Sequence, residues 1–352
     1  MFLKNAWYVA AWDHELRDGP LATTIAGENL VLFRRADGQA AALADQCPHR
    51  RLPLSMGRVQ AGELECGYHG LTFNHQGACT RAPCSDHLPE RAQVRAYPIE
   101  ARYGLLWVWM GAAELADPAS IFPVQHWGDP AWGCNRGGSM EVRCNYLHIT
   151  DNLLDPSHVA WVHRSSFASA ACEATPMEVA AADDGLTVSR WMMDSEVAPF
   201  YAPFVKFAGR CDRKQHYEVR FPALALIKAV LAPAGSGGEG QPLPAETFVM
   251  DSYNFMTPVD ADRTRYYWFQ MRNFAPGDEQ VSEAMSVAVR AAFEEDRVIL
   301  EAVHRGMGDA PYPGVAMMID RGPMQFRRRL GRLIAMETEQ QYPQQPVTAV
   351  AG

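Results

Sequence analysis

Along the first third of the chain, short apolar runs alternate with polar turn signals. Ala6 to Trp12, Leu30 to Arg34, Ala40 to Ala44 and Leu105 to Met110 are such runs, punctuated by Gly27-Glu28-Asn29 and Ala36-Asp37-Gly38. Runs of this length between Gly, Asn and Asp predict strands joined by tight turns, hence a small antiparallel β domain. After Trp109-Met110-Gly111 the texture changes, and a Pro- and Gly-punctuated stretch to Gly138 reads as a linker. From Met140 the pattern predicts a helical segment interrupted at Pro156, then long strands over Leu186 to Met193, Gln215 to Leu231, Thr247 to Met256 and Thr264 to Asn273. Gly235 to Gly240 reads as an exposed loop. Met285, Val289, Ala292, Asp296, Ile299 and Val303 step by four and three, which places them on one face of a helix over 281–306. A second helix is expected over Asp320 to Glu339, and the Gln- and Pro-bearing tail is expected to fray. The expected organisation is α+β: a β domain at 1–115, a linker at 116–139, a larger domain at 140–339 and a flexible tail at 340–352.

Composition supports two cores, since 48% of the 352 residues are hydrophobic. Lys+Arg 32 against Asp+Glu 41 leaves a net charge of −9, so no positive field is available to neutralise a phosphate backbone, and nucleic acid is not an expected partner. No apolar run approaches the roughly 20 residues that span a bilayer; Phe221 to Ala232 comes nearest and carries Lys228. Met1-Phe2-Leu3-Lys4 lacks the regions of a signal peptide, so the expectation is a cytoplasmic protein without a membrane partner. In a reducing compartment its eight Cys are expected to be ligands or buried thiols rather than disulfides. Cys79 and Cys84, with four residues between them, read as free thiols.

Two of the other cysteines stand in a specific pattern. Cys47-Pro48-His49 and Cys66-Gly67-Tyr68-His69 are paired thiol and imidazole donors on two loops bounded by Pro and Gly. Structural zinc uses the same donor types, usually with longer gaps between paired His. One Cys and one His on each loop suit a [2Fe–2S] cluster with two Cys on one iron and two His on the other. Exchanging two thiolates for neutral imidazoles raises the potential to about −150 to +300 mV, against roughly −400 mV for an all-Cys plant-type cluster. Such a cluster accepts electrons from an ordinary ferredoxin and needs somewhere to pass them.

The destination is sought downstream. In the block Asp151 to His163, Pro156 suits the first position of a helical turn and Asp155 its N-cap. His158 and His163 are five apart, about 140° around a helix, so they converge on one ion only at a distorted or terminal turn. Asp296 is the acidic member of the apolar stripe, while Glu294 can pair with Arg290 or Arg297 on the solvent side. Two His and one carboxylate with open positions form the facial triad of non-haem Fe(II) oxygenases. A buried Asp satisfied by hydrogen bonds is the alternative, and His148 is a weaker candidate ligand.

These residues resemble the Rieske non-haem iron oxygenases. Cys47-Pro48-His49-Arg50, Cys66-x-Tyr68-His69-Gly70 and Asp151-Asn152-Leu153-x-Asp155-x-x-His158-x4-His163 match the two signatures of that family in order and spacing. Asn5 to Val9, the chain length and Phe293 to Arg297 are similar to the short oxygenase components of the vanillate, dicamba and toluenesulfonate type. The resemblance implies a β Rieske domain followed by a helix-grip catalytic domain, in a homotrimer where the cluster of one protomer serves the iron of its neighbour. It implies Cys47, His49, Cys66 and His69 as cluster ligands, and His158, His163 and Asp296 as ligands of a mononuclear Fe(II). Asp155 resembles the carboxylate that links the two centres across protomers, and Asn152 a polar neighbour of the iron.

The implied activity is O2-dependent monooxygenation of a small aromatic substrate, with electrons from NADH through a separate flavin and iron–sulfur reductase or ferredoxin. O-demethylation of a methoxybenzoate with release of formaldehyde is the leading expectation. Hydroxylation of an aryl methyl group or of the ring is the alternative. Asn254 stands where O-demethylating relatives carry His and could bind a carboxylate or phenol. Phe200, Tyr201, Phe204 and Trp268 are candidates for an aromatic wall, Arg220 and Lys228 for anion contacts. Arg327-Arg328-Arg329 with Arg332 reads as a solvated helix face. Two readings of another class remain, an electron carrier with an inert second domain and a zinc-binding interaction protein.

Overall fold

Turn residues at close intervals cut the N-terminal sequence into strands too short to form one large sheet, and it folds as three small ones. A computed structural model of the chain describes residues 1–83, 85–88, 90–308 and 314–341. The strands are β1 (Trp7–Trp12), β2 (Leu21–Ile25), β3 (Glu28–Arg34), β4 (Ala40–Ala44), β5 (Arg58–Gln60), β6 (Glu63–Glu65), β7 (Thr72–Phe73), β8 (Cys79–Arg81), β9 (Ala96–Tyr97), β10 (Ile99–Arg102) and β11 (Leu105–Trp109). They pair antiparallel in the orders β1-β11-β10, β2-β3-β4-β9 and β5-β6-β7-β8. The last of these sheets carries the second Cys/His loop between β6 and β7.

The larger domain is one seven-stranded antiparallel sheet in the order β12-β18-β17-β16-β15-β14-β13. Its strands are β12 (Gly133–Val142), β13 (Glu178–Ala182), β14 (Gly185–Ser195), β15 (Cys211–Arg220), β16 (Leu224–Pro233), β17 (Phe248–Pro258) and β18 (Thr264–Arg272). Helices α1 (Tyr146–Leu153), α2 (Val159–Val162), α3 (Ala171–Ala174), α4 (Glu279–Met307) and α5 (Arg321–Gln341) complete it. Successive strands are neighbours except β12, which closes the far edge against β18. No helix among the described residues is long and apolar enough to cross a membrane.

Period-two alternation gives this sheet two apolar faces. Val188, Val219, Leu231, Met250 and Trp268 join Ile149, Met285 and Phe326 of the helices on one side. Tyr253, Phe255, Tyr267 and Phe269 meet Trp7, Trp107 and Trp109 of the N-terminal domain on the other. The Trp107 and Phe255 rings pack edge to face at 5.0 Å, and the hydroxyls of Thr257 and Tyr267 donate to the carbonyls of Val9 and Ala10 at 2.7 and 2.9 Å. Over β16 to β18 the sheet is therefore buried on both sides, whereas the outward positions of β13 to β15 stay partly exposed.

Three expectations are corrected. The single strand expected over Gln215 to Leu231 is two, β15 and β16, because the Phe221-Pro222-Ala223 turn interrupts it and Pro222 has no N–H for a ladder. Strand β12 begins at Gly133, inside the stretch read as a linker, and extends through Met140, where a helix was expected; its bulge between Asn135 and Gly138 hid the alternation. On α4 the buried stripe runs Met285, Val289, Ala292, Asp296 and Leu300, whereas Ile299 and Val303 face outward. Cys79 and the other described cysteines are free thiols; Cys84 and the tail beyond residue 341 lie outside the described residues.

The β12 bulge brings backbone against two tryptophans. A Cβ at Gly137 would overlap the Trp12 ring at the domain junction. Gly137→Ala is expected to destabilise the protein by at least about 2 kcal/mol in denaturant titration, in the upper part of the overpacking range. Gly19→Ala, with open space around the added methyl, is expected to stay within about 0.5 kcal/mol of the parent.

Candidate active site

The two N-terminal loops are built alike. The Cys47 N–H donates to the Leu52 carbonyl at 2.9 Å and the Arg51 N–H to the Cys47 carbonyl at 2.9 Å. In the second loop the Cys66 N–H donates to Leu71 at 2.8 Å and the Gly70 N–H to Cys66 at 3.1 Å. The fourth residue after each Cys, Arg51 or Gly70, has positive φ (58° and 71°), which turns each loop back on its own cysteine. Both thiols are buried side by side, and burial followed by the Cys66 neighbour pushes the Cys47 thiol up. The His49 and His69 rings lie 4.6 Å apart, with His49 exposed and His69 half-buried. His69 Nδ1 is buried without a hydrogen-bond partner. Two inward thiols, two imidazoles at the rim and an orphaned ring nitrogen fit an iron–sulfur cluster whose histidine edge meets the surface.

The second constellation is assembled from two elements, α2 and α4. His158 and His163 flank the single turn α2, as its N-cap and C-cap residues, so the five-residue spacing converges at a terminal turn. Asp296 comes from the buried stripe of α4. One ligand atom from each of His158, His163 and Asp296 lies within 4.8 Å of the others. His163 Nε2 is 3.3 Å and His158 Nε2 3.7 Å from Asp296 Oδ1. Two imidazoles and one carboxylate converging at this spacing are a donor set that suits a divalent metal.

Each ligand side chain is held from behind. The Asn152 amide on α1 donates to Asp296 Oδ1 at 3.1 Å. His158 Nδ1 meets the Asp155 carbonyl, and His163 Nδ1 lies 2.7 Å from Glu295 Oε2. Both Nδ1 atoms are thereby occupied and both Nε2 atoms point to the same space. Burial works against a charge on His163, but hydrogen bonds and attraction from Asp296, then Glu295, raise its pKa above 6.5. Asp155 caps the turn that begins at Pro156, as expected, rather than α2 itself: its carboxylate accepts from the N–H and hydroxyl of Ser157, forming the turn that presents His158. His148 is buried against His304, with ring centroids 5.4 Å apart, outside this group.

A cavity opens onto His158, His163 and Asp296. Of the residues expected to form its aromatic wall, Tyr201 lines it, together with Phe167 and Phe293. Phe200 stacks behind Phe167 at 4.2 Å and Phe204 packs on Phe274, while Trp268 packs against the far side of Phe293. Asn254 is fully buried off the cavity: its amide N–H donates to the Ser252 carbonyl and its oxygen accepts from Tyr266. Arg220 pairs with Asp184 and Glu218, and Lys228 faces Asp251, so neither turns to this cavity. Arg327 is partly exposed and forks onto Asp151, bracing α1 from α5, while Arg328 and Arg332 are solvated as expected. Sequence reasoning missed Glu295, Phe167 and Arg213. The signal for Arg213 was present in the phase of β15, whose core-facing odd positions include it.

Known proteins share both halves of this arrangement. Residues 6–98 match the Rieske [2Fe-2S] domain, and residues 142–336 match the vanillate O-demethylase oxygenase C-terminal domain. The iron–sulfur subunit of the toluene-4-sulfonate monooxygenase system of Comamonas testosteroni is 36% identical, covering 96% of this chain and 98% of its own. The vanillate O-demethylase oxygenase subunit of a Pseudomonas species is 35% identical over 96% of this chain and 97% of its own. The crystal structure of dicamba monooxygenase bound to 3,6 dichlorosalicylic acid superimposes with a TM-score of 0.88 at 30% identity, covering 96% and 99% of the two chains.

Metal binding at the triad needs His163 neutral, so protons compete wherever that imidazole is charged. Because its pKa is raised, affinity for Fe(II) or Co(II) is expected to fall on acidification from above pH 6.5 rather than below it. Without metal the sign reverses: the charged imidazole contributes stability at acid pH that is lost as pH rises through its folded pKa. Glu295→Gln is expected to weaken Co(II) binding about 10–100-fold and to move the acid limb to lower pH, read by spectroscopic titration.

Proposed function

The chain belongs to the Rieske non-haem iron oxygenases as the oxygenase component of such a system, and on that premise we propose that it O-demethylates a methoxybenzoate-like aryl methyl ether. The overall change is aryl methyl ether, O2, NADH and a proton to phenol, formaldehyde, water and NAD. The family carries a Rieske [2Fe-2S] cluster and a mononuclear non-haem iron, which when bound supply stored electrons and O2 activation. Cys47, His49, Cys66 and His69 would hold the first; His158, His163 and Asp296 would hold the second.

The observation that carries the reading is the cavity that joins the Asp296 triad to an aromatic wall of Phe167, Tyr201 and Phe293. These side chains place a flat ring beside the ligands and exclude bulk water. Asn152 and Glu295 hold Asp296 and His163 in register. The vanillate relative supports the chemistry, since it is the oxygenase subunit of an O-demethylase. The toluene-4-sulfonate relative, at 36% identity, favours hydroxylation of an aryl methyl group as the second reading.

Relatives described as oxygenase components imply a separate electron donor. We take this to be an NADH-dependent flavin and iron–sulfur reductase or a ferredoxin. The exposed His49 and half-buried His69 suit a centre that exchanges electrons across a surface. A homotrimer would set that edge against the Asp155 turn of a neighbouring protomer, where Asp155 would join the histidine edge to His158.

With a reductase and NADH, the protein is expected to release about one formaldehyde per NADH from vanillate or 4-methoxybenzoate. A benzylic alcohol from toluene-4-sulfonate, without formaldehyde from either ether, would instead establish the second reading. Asp155→Asn is expected to keep both metal centres and to lower turnover about 10–100-fold, as loss of an outer hydrogen-bonding group does. Unchanged turnover would remove Asp155 from the electron path.

A further inference from the structure

Strand β15 sets an alternation and then breaks its chemistry. Its odd positions are buried toward the helices; Cys211 and Val219 suit that environment, whereas Arg213, Gln215 and Tyr217 put polar groups into it. Arg213 is 1% exposed, yet among the described residues no carboxylate pairs with it. Its guanidinium donates to the Phe167 carbonyl at 2.9 Å, reaches the Cys172 sulfur at 3.8 Å and lies 4.9 Å from the Tyr201 ring centroid. The titratable groups that act on it most are the phenols of Tyr201 and Tyr217 and the thiols of Cys172 and Cys211, with the Arg190 cation also within electrostatic reach. Its Nε donates to nothing, and the Gln215 amide on the same face is likewise an unused donor.

Arg190, the other buried arginine of this region, shows the contrast. All its hydrogen bonds close within the fold, on the Gln215 side-chain oxygen and the carbonyls of Cys172, Thr175 and Pro156. It is a strut that ties the His158 turn to the sheet. Arg213 has the same charge with fewer acceptors, and it lines the cavity that His158, His163 and Asp296 also line. A permanently charged guanidinium in low dielectric is retained at high cost unless an anion completes it. The wall beside it is aromatic, so the missing anion belongs to a molecule that also carries a ring.

We propose that Arg213 is the specificity-determining residue of this cavity, pairing its guanidinium with a single carboxylate or sulfonate on the aromatic substrate. The assignment rests on the cavity being the substrate site. It also excludes neutral ethers such as unsubstituted anisole as good ligands, because they would leave the charge uncompensated. Asn254, Arg220 and Lys228 are each engaged elsewhere and do not compete for this role.

The test is equilibrium binding by calorimetry to the anaerobic holoprotein at neutral pH. The probes are 4-methoxybenzoate, its uncharged isostere 4-methoxybenzamide, and toluene-4-sulfonate. The parent is expected to bind one or both anions at least about a hundredfold more tightly than the amide, as a buried charge pair does. Arg213→Gln is expected to lose that preference by weakening the anion alone, with the amide changed less than about threefold, and Arg213→Lys to retain an intermediate ratio. Equal binding of acid and amide by the parent, binding of neither anion, or parallel weakening of both ligands in Arg213→Gln would overturn the assignment. If Arg213→Gln does not fold, the parent's ratio and the Lys variant decide it. Metal analysis of the same preparation separates the two readings: an acid-selective protein without iron retains Arg213's role and loses the oxygenase, and a fully metallated protein indifferent to charge loses only Arg213.

Discussion

A carboxylate on the buried face of a 29-residue helix has to be answered by a cation, and the catalytic half of the molecule is arranged around that requirement. Asp296 sits one helical step from Ala292 and Leu300, where every other member of the stripe is apolar or small. Its answer comes from His158 and His163, which neutral imidazoles alone do not complete. The short α2 exists to bring both rings to one side, and the Asp155–Ser157 turn, the Arg190 strut and Glu295 each fix one piece of it. A metal ion is the group that makes this set of donors consistent, and Asn152 satisfies the carboxylate's remaining demand.

The same logic of donors without acceptors separates the two ends of the site. At the ligand end, carboxylates outnumber fixed cations and a metal is called for. At the β15 end, a fixed cation has no carboxylate among the described residues and an anion is called for. Between them lie aromatic and aliphatic side chains that contribute dispersion and dryness rather than charge. The N-terminal tryptophans close the outer face over β16 to β18, while β15 keeps its polar outward residues Lys214, His216 and Glu218 partly exposed. Stability and site are thus divided between the two faces of one sheet.

Much of this was legible from the chain. The Cys/His loops declared themselves by spacing, and their congruent backbone turns explain why C-x-H and C-x2-H can serve one cluster. Asp296 was legible because a helix period makes a misplaced charge visible. What escaped was set by contacts between distant segments. The β12 edge was hidden by a bulge, and the β15–β16 hairpin by reading through Pro222. Asn254 looked free in sequence and is spent on Ser252 and Tyr266. Arg213 sits among Asp212, Lys214 and His216, and only the phase of the strand shows that it alone of these cations turns inward. Arg327 looked solvated because its partner, Asp151, is 176 residues away.

The central claim is that two metal centres share this chain, one on the N-terminal loops and one on the Asp296 triad. Iron and acid-labile sulfide content of anaerobically purified protein measures it directly, alongside Asp296→Ala. About three irons and two sulfides per chain are expected in the parent, and about two of each in the variant with the visible cluster absorption intact. Zinc without sulfide, or an iron content unmoved by loss of the Asp296 carboxylate after Fe(II) is supplied, would contradict it.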